Sequence, residues 1–162
     1  LPKSAKIKGL DDSKKLSPKK REHIYSAIVE CAVSFGIGIV GHEMIDEINI
    51  LNATLRAMRK AIEAMRVRPD FLLIDGTKGV KNILIPYKAI PSGDAKSSSI
   101  AAASIIAKVT RDKLMCELGK KFPKYKFAQH KGYGTEEHFE LLQKHGPCAI
   151  HRKSFFPVSK MV

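Results

Sequence analysis

Two aspartates stand where an unpaired charge is hard to place. Asp75 closes the apolar run Phe71-Leu72-Leu73-Ile74 and is followed by Gly76. Asp112 lies within a helical stretch, Ser99–Leu118, on the stripe of Ile105, Val109 and Cys116. That spacing of i, i+4, i+7 and i+11 puts the four on one helix face. A carboxylate at a strand's end and another on the inward face of a helix meet only in a cleft. Burial there is costly unless the charge is paired, protonated or bound to a metal. Metal binding is the sharpest reading. The plainer ones are a turn aspartate at Asp75, on a par with the first, and at Asp112 an ion pair with Arg111, Lys108 or an arginine elsewhere, or simple exposure. Asp94, in the loop Pro91-Ser92-Gly93-Asp94, fits turn or helix-capping duty better than catalysis.

A second set of residues suits a polyanion. Lys14-Lys15 and Lys19-Lys20-Arg21 could hold phosphates or form a solvated face. In His130-Lys131-Gly132-Tyr133-Gly134-Thr135, two glycines flank a tyrosine. They let the backbone approach a partner while the ring is presented for stacking on a base or sugar. The plainer alternative is a structural turn plugged by Tyr133. Lys108, one helical turn before Asp112, could neutralise that aspartate or a phosphate. The tail His151-Arg152-Lys153-Ser154-Phe155-Phe156 is basic and aromatic.

The elements that must position these groups follow from periodicity. Ser17-Pro18 opens a helix to about Ser34, with Ile24, Ile28 and Cys31 inward. Phe35–Gly41 reads as a short glycine-rich strand. A helix from near Ile48 to Met65 carries Leu51, Leu55, Met58, Ile62 and Met65 on its buried stripe. Phe71–Asp75 reads as a fully buried strand, and Asn82–Ile90 as an edge strand containing Pro86. Phe122–Thr135 reads as a polar loop, and Glu136–His145 as a short helix stopped at Gly146-Pro147. Strands alternating with helices give an α/β domain with parallel pairing at its centre.

Composition bounds the class. The 162 residues carry a formal charge of +13, with 29 Lys+Arg against 16 Asp+Glu. Such a balance favours nucleic acid over anionic lipid as partner. One domain of this size buries about two thirds of its unfolded surface. Cys31, Cys116 and Cys148 show no metal-ligand spacing and an odd count, as expected of reduced thiols in a cytosolic protein. No run reaches transmembrane length and no signal peptide is visible.

Several blocks, in order along nearly the whole chain, closely resemble bacterial ribonuclease HII. They are Gly9-Leu10-Asp11-Asp12-Ser13-Lys14-Lys15-Leu16, Leu73-Ile74-Asp75-Gly76, and Ala101-Ala102-Ala103-Ser104-Ile105-Ile106-Ala107-Lys108-Val109-Thr110-Arg111-Asp112. Phe122-Pro123, His130–Thr135 and His151-Arg152-Lys153-Ser154-Phe155 complete the match. The resemblance implies a ribonuclease H-like mixed sheet flanked by helices, in one domain over 1–162. The helical region from about 120 would be a substrate-binding extension. It implies a monomeric cytoplasmic endonuclease acting on RNA–DNA hybrids and on single ribonucleotides in duplex DNA, leaving 5′-phosphate and 3′-hydroxyl ends. Two ions, Mn²⁺ or Mg²⁺, would be held by four carboxylates, an oxygen donor set suited to hard cations. Asp75 and Asp112 match two of the four. Tyr133 matches a tyrosine that stacks on the deoxyribose at the RNA–DNA junction. Gly132, Ser13, Lys14, Lys15 and Lys108 match substrate-side positions.

One family feature has no counterpart here. The Asp-Glu-x-Gly-Arg-Gly segment, which supplies the other two carboxylates and the backbone that reads the ribose 2′-hydroxyl, does not occur in the chain. The chain starts at Leu1-Pro2, as if after the first two strands of the family. Two carboxylates against two divalent ions imply weak metal binding and little activity for this stretch alone. A non-catalytic module that binds hybrid or duplex is the alternative.

Overall fold

The computed structural model describes residues 1–2, 4–11, 13–80 and 83–162. Asp12 of the first family block and Asn82, where the edge strand was expected to begin, lie outside the described residues. The chain separates into two compact units. The first comprises Leu1–Ile39 and Thr54–Val109, and the second Val40–Ala53 and Thr110–Val162.

In the first unit, α1 runs from Pro18 to Cys31, and Ser17 Oγ accepts the Lys20 N–H at its start. Pro18 costs nothing in the first turn because its missing N–H would be unbonded there. Ile24 and Ile28 of α1 pack on Ala102, Ile105, Ile106 and Val109 of α3, which spans Ser98–Lys121. Small side chains on α3 admit this close approach.

The sheet is a parallel pair. β1 (Leu72–Asp75) lies beside β2 (Tyr87–Ile90), with Leu72 opposite Tyr87 and Asp75 opposite Ile90. The expected strand with Pro86 thus begins just after the proline, whose carbonyl accepts the Leu72 N–H. Burial along β1 alternates: Leu72 and Ile74 are inside, whereas Leu73 is 42% and Phe71 52% exposed. Expectation of a fully buried strand is corrected here. The face bearing Leu72 and Ile74 packs on Val80, Ile85, Leu55, Met58 and Ile62.

Phe35–Gly41 is not a strand; it forms no ladder among the described residues. Its glycines serve close packing. A Cβ at Gly36 would sit 1.9 Å from the Ala61 carbonyl oxygen, and one at Gly38 would sit 1.8 Å from that of Ala57. The segment therefore lies flush against α2 (His42–Glu63), with Phe35, Ile37 and Ile39 exposed. α2 is interrupted at Asn49, which has φ 63°, and the Asn49 Oδ1 accepts the Asn52 N–H. The helix expected from near Ile48 is its second part. Leu51, assigned to the buried stripe, is 49% exposed, and Ala53 is the buried residue instead.

In the second unit, the expected polar loop at 122–135 contributes Tyr125, Phe127 and His130 to the interior. Tyr125 and Phe127 are 6% and 2% exposed and pack with Met115, Leu142 and Val158. The segment turns through a 3₁₀ step at Pro123–Tyr125 and the short α4 (Phe127–His130). α5 covers Glu136–His145, capped by the Thr135 hydroxyl and ended at Gly146 with φ 70°. No helix among the described residues is long and apolar enough to cross a membrane.

The glycine contacts give a direct test. Gly38→Ala pushes a methyl into backbone, so it should destabilise the protein by about 1–3 kcal/mol or more. Gly41→Ala meets nothing within 4 Å and should stay within about 0.5 kcal/mol of the parent. Urea midpoints of the two variants check this contrast.

Candidate nucleic-acid and metal site

Asp75 is at the carboxyl end of β1, the end at which open parallel sheets place ligands. Its side chain is exposed rather than buried, and Oδ1 accepts the Gly93 N–H at 2.7 Å. Gly93 is suited to this approach: a Cβ there would meet Ile100 Cδ1 at 2.6 Å and Asp75 Oδ1 at 3.4 Å. Ser92, with φ 53°, turns the chain so that the amide faces the carboxylate. Beyond the strand, the Gly76 N–H still donates to the Ile90 carbonyl. Asp75 is thus fixed at its backbone and at one carboxylate oxygen. Asp94 accepts the N–H of Ala95 within its own 3₁₀ turn, which is the turn duty expected of it.

Also in the first unit, Ser13 is buried and its hydroxyl lies 2.8 Å from that of Ser104. Arg21, part of a basic run in the sequence, is a buried strut for this loop. Its Nε donates to the Ser13 carbonyl and an Nη donates to the Leu16 carbonyl, each at 2.8 Å. Lys14 and Lys15 are therefore held outward on an anchored turn, with Lys15 Nζ 3.9 Å from Asp11. Lys108 is half-buried on α3.

The second unit contains Asp112, Gly132 and Tyr133. Asp112 is half-buried on α3. Tyr133 is 53% exposed at the tip of a turn whose backbone is closed on itself. The Tyr133 N–H donates to the His130 carbonyl, and the Thr135 N–H donates to the Tyr133 carbonyl. Lys131 and Gly132 take φ values of 54° and 76°, which suits glycine at the second position. A Cβ on Gly132 would press on Met115 Cε at 3.2 Å. Arg111 donates to the Lys131 carbonyl at 3.2 Å.

Two further supports had no signal in the spacing. Asp46 accepts the N–H groups of Lys153 and Ser154 and the Ser154 hydroxyl. Partial burial tends to raise its pKa, but these bonds outweigh that and hold it below the usual carboxylate value. Beside it, Arg152 lies 3.6 Å over the Phe155 ring. Burial and the neighbouring Arg111 lower the Arg152 pKa. Under the Tyr133 turn, His130, His138 and His151 are each at most 8% exposed. Burial pushes the His138 and His151 pKa values down, against backbone bonds at Tyr133 and Cys148 that raise them, and neighbouring histidines add to the lowering.

A model of the ribonuclease HII family matches residues 3–158. A ribonuclease HII of Geobacter metallireducens is 51% identical over the whole chain, which covers 76% of that protein. The chain belongs to the ribonuclease HII family. It is thereby a ribonuclease H. A ribonuclease HII of Bacillus thuringiensis is 52% identical over the whole chain, which covers 62% of it. Among solved structures, the ribonuclease H2 from Pyrococcus horikoshii matches with a TM-score of 0.76 at 24% identity, covering 94% of this chain and 80% of that one. That likeness bears on the fold, and it agrees with the α/β expectation.

The depressed histidines set a pH dependence. A base whose folded pKa lies below its unfolded value leaves the unfolded state holding more protons as pH falls. Stability is therefore complete above the ordinary histidine pKa of 6.5 and declines as pH drops below it toward the folded values. Asp46 contributes in a separate window, below its ordinary 3.8. Thermal melts from pH 8 to 5 should show falling stability, and substituting His138 and His151 together with Phe should flatten that fall.

Proposed function

We propose that this ribonuclease HII chain hydrolyses the RNA strand of RNA–DNA hybrids and cuts at single ribonucleotides in duplex DNA, leaving 5′-phosphate and 3′-hydroxyl ends. The observation that carries it is the exposed carboxylate of Asp75, oriented by the Gly93 N–H at the carboxyl end of a parallel strand, in a chain of this family.

The donor chemistry fits a hard divalent ion. Asp75 and Asp112 offer carboxylate oxygens, which Mg²⁺ and Mn²⁺ prefer, whereas zinc would favour His or Cys. The fit is one of kind rather than number: among the described residues no group of three or more His, Cys, Asp or Glu could hold an ion. Asp75 and Asp112 would each be a ligand, alongside carboxylates from an Asp-Glu-x-Gly-Arg-Gly segment. Two such ions, when bound, activate water and stabilise the leaving oxygen of an in-line displacement.

The chain's own residues would bind and orient the duplex. Tyr133 presents its ring for stacking on the deoxyribose at the RNA–DNA junction, and Gly132 lets the backbone come close. Lys14, Lys15 and Lys108 would take phosphates. Ser13, its hydroxyl shared with Ser104, would contribute through the loop it anchors. Phosphate contacts supply affinity, and the 2′-hydroxyl supplies the choice of RNA. We place the enzyme in the cytoplasm as a monomer. The alternative reading is a hybrid-binding module without catalysis.

Joining an Asp-Glu-x-Gly-Arg-Gly segment to the chain separates the two. With Mn²⁺ or Mg²⁺ and a duplex holding one ribonucleotide, the 162-residue chain should cut feebly and the joined protein well. Asp75→Asn or Asp112→Asn in the joined protein should cost more than the roughly 10–100-fold typical of an outer-shell metal partner. Unchanged cleavage by either variant would sink the catalytic reading.

A further inference from the structure

Beneath the Tyr133 turn, three imidazoles lie in one buried cluster with Tyr125, Phe127 and Cys148. The His130 and His138 rings stack with centroids 4.2 Å apart, and His138 Nε2 is 3.2 Å from His151 Nε2. Phe127 packs against all three, at 5.4–5.8 Å between centroids. No described side-chain polar atom that is buried lacks a hydrogen-bond partner.

Backbone groups at the edges decide where each proton sits. A peptide N–H can only donate and a carbonyl can only accept. His151 Nδ1 has the Cys148 N–H at 2.9 Å, the Cys148 Sγ at 3.1 Å and the Cys148 carbonyl at 3.3 Å around it, so its tautomer is set from the Nε2 side. The Tyr133 carbonyl lies 2.9 Å from His138 Nδ1, so that nitrogen is protonated and Nε2 is bare. His151 Nε2–H then donates to His138 Nε2, which matches proton to lone pair. The result is one directed chain: His151 to His138, and His138 to the Tyr133 carbonyl. His130 is assigned in the same way, accepting the Gly132 N–H at Nδ1 and facing the Tyr125 carbonyl with Nε2–H at 2.7 Å.

Every end of this network that reaches 132–133 lands on main chain. Gly132 is held by His130, and Tyr133 by His138. We propose that His138 and His151 are positioning residues that fix the Tyr133 turn, so that the ring is presented to the nucleic acid at a set angle. They touch no substrate themselves. This rests on the reading of Tyr133 as a stacking residue, and it adds the reason the turn holds its shape. His138 must be neutral for this chain: a second proton on it would set N–H against N–H at His151.

The test uses the 162-residue chain and a fluorescent duplex containing one ribonucleotide, with EDTA present and binding followed by anisotropy. Loss of one aromatic stack is worth about 1–3 kcal/mol, so Tyr133→Ala should weaken binding roughly 5–150-fold. His138→Phe keeps an aromatic ring but no donor, and should weaken binding comparably. His138→Phe combined with Tyr133→Ala should bind no worse than Tyr133→Ala alone, since the positioned ring is already gone. His138→Asn keeps an N–H near the Nδ1 position and should bind within about twofold of the parent. Additive losses in the double variant, or Asn behaving like Phe, would overturn the positioning role while leaving Tyr133 as a stacking residue. No effect of Tyr133→Ala would overturn that reading, and the positioning role with it. Long-range ¹H–¹⁵N NMR of the unaltered chain gives an independent check that needs no variant to fold. It should show His138 protonated at Nδ1 and His151 at Nε2; His138 protonated at Nε2 refutes the chain.

Discussion

A bare imidazole nitrogen must meet a proton and a protonated one must meet a lone pair, and the second compact unit is organised by that requirement. Three buried histidines could in principle take many proton arrangements. Backbone groups at Tyr133, Gly132 and Tyr125 fix His138 and His130, and the contact with His138 then orients His151. The His138–His151 contact spans thirteen positions, so the tail near Cys148, the start of α5 and the turn at Tyr133 are tied through two rings. Buried polar groups of this kind specify a geometry because any half-satisfied alternative leaves an unpaired atom in a low-dielectric interior. Apolar packing of Phe127 and Leu142 stabilises the unit but does not define the turn in this way.

The first unit reaches its geometry by a different route, through close backbone approach. Gly36 and Gly38 let an extended segment lie flush on a helix, and Gly93 lets a main-chain N–H reach Asp75. Arg21 does with a charged side chain what the glycines do by absence, filling the space under the Ser13–Leu16 turn and bonding two of its carbonyls. Glycine contacts and a buried guanidinium both hold loops by main chain. The side chains of Lys14 and Lys15 are exposed on the turn so anchored.

Periodicity made the helices legible. The inward pattern of Ile24 and Ile28, and the caps at Ser17 and Thr135, are local signals written in adjacent residues. The strands were harder. Four apolar residues before Asp75 look the same whether one face or both are covered, and only tertiary packing decides that Leu73 is outside. Phe35–Gly41 has strand composition but no ladder partner among the described residues, and its glycines answer to a helix some twenty residues later. The stretch at 122–135 misled for the opposite reason. Its lysines and glycines mask Tyr125 and Phe127, which carry the core of the unit. Its one histidine, His130, is polar in type yet buried, because its partners are main-chain groups that composition cannot display. His138 and Asp46 carried no signal of their own. Of the candidate site, Asp75, Asp112 and Tyr133 were legible as residues; the contacts that hold them were not.

The exposure of Asp75 changes the grounds for its role. Had the carboxylate been buried, desolvation alone would demand a cation, since an ionised group in a dry interior is costly without one. An exposed carboxylate makes no such demand and is content in water. Its case rests on orientation instead. One oxygen is committed to the Gly93 N–H, the backbone is pinned by the ladder beside Ile90, and the group faces solvent at the ligand end of a parallel strand. A carboxylate needed only for a turn would find its donor within its own loop, as Asp94 does. Asp75 reaches across eighteen positions to a glycine amide, and that long-range constraint fixes a carboxylate's direction in a way that solubility or turn formation would not require.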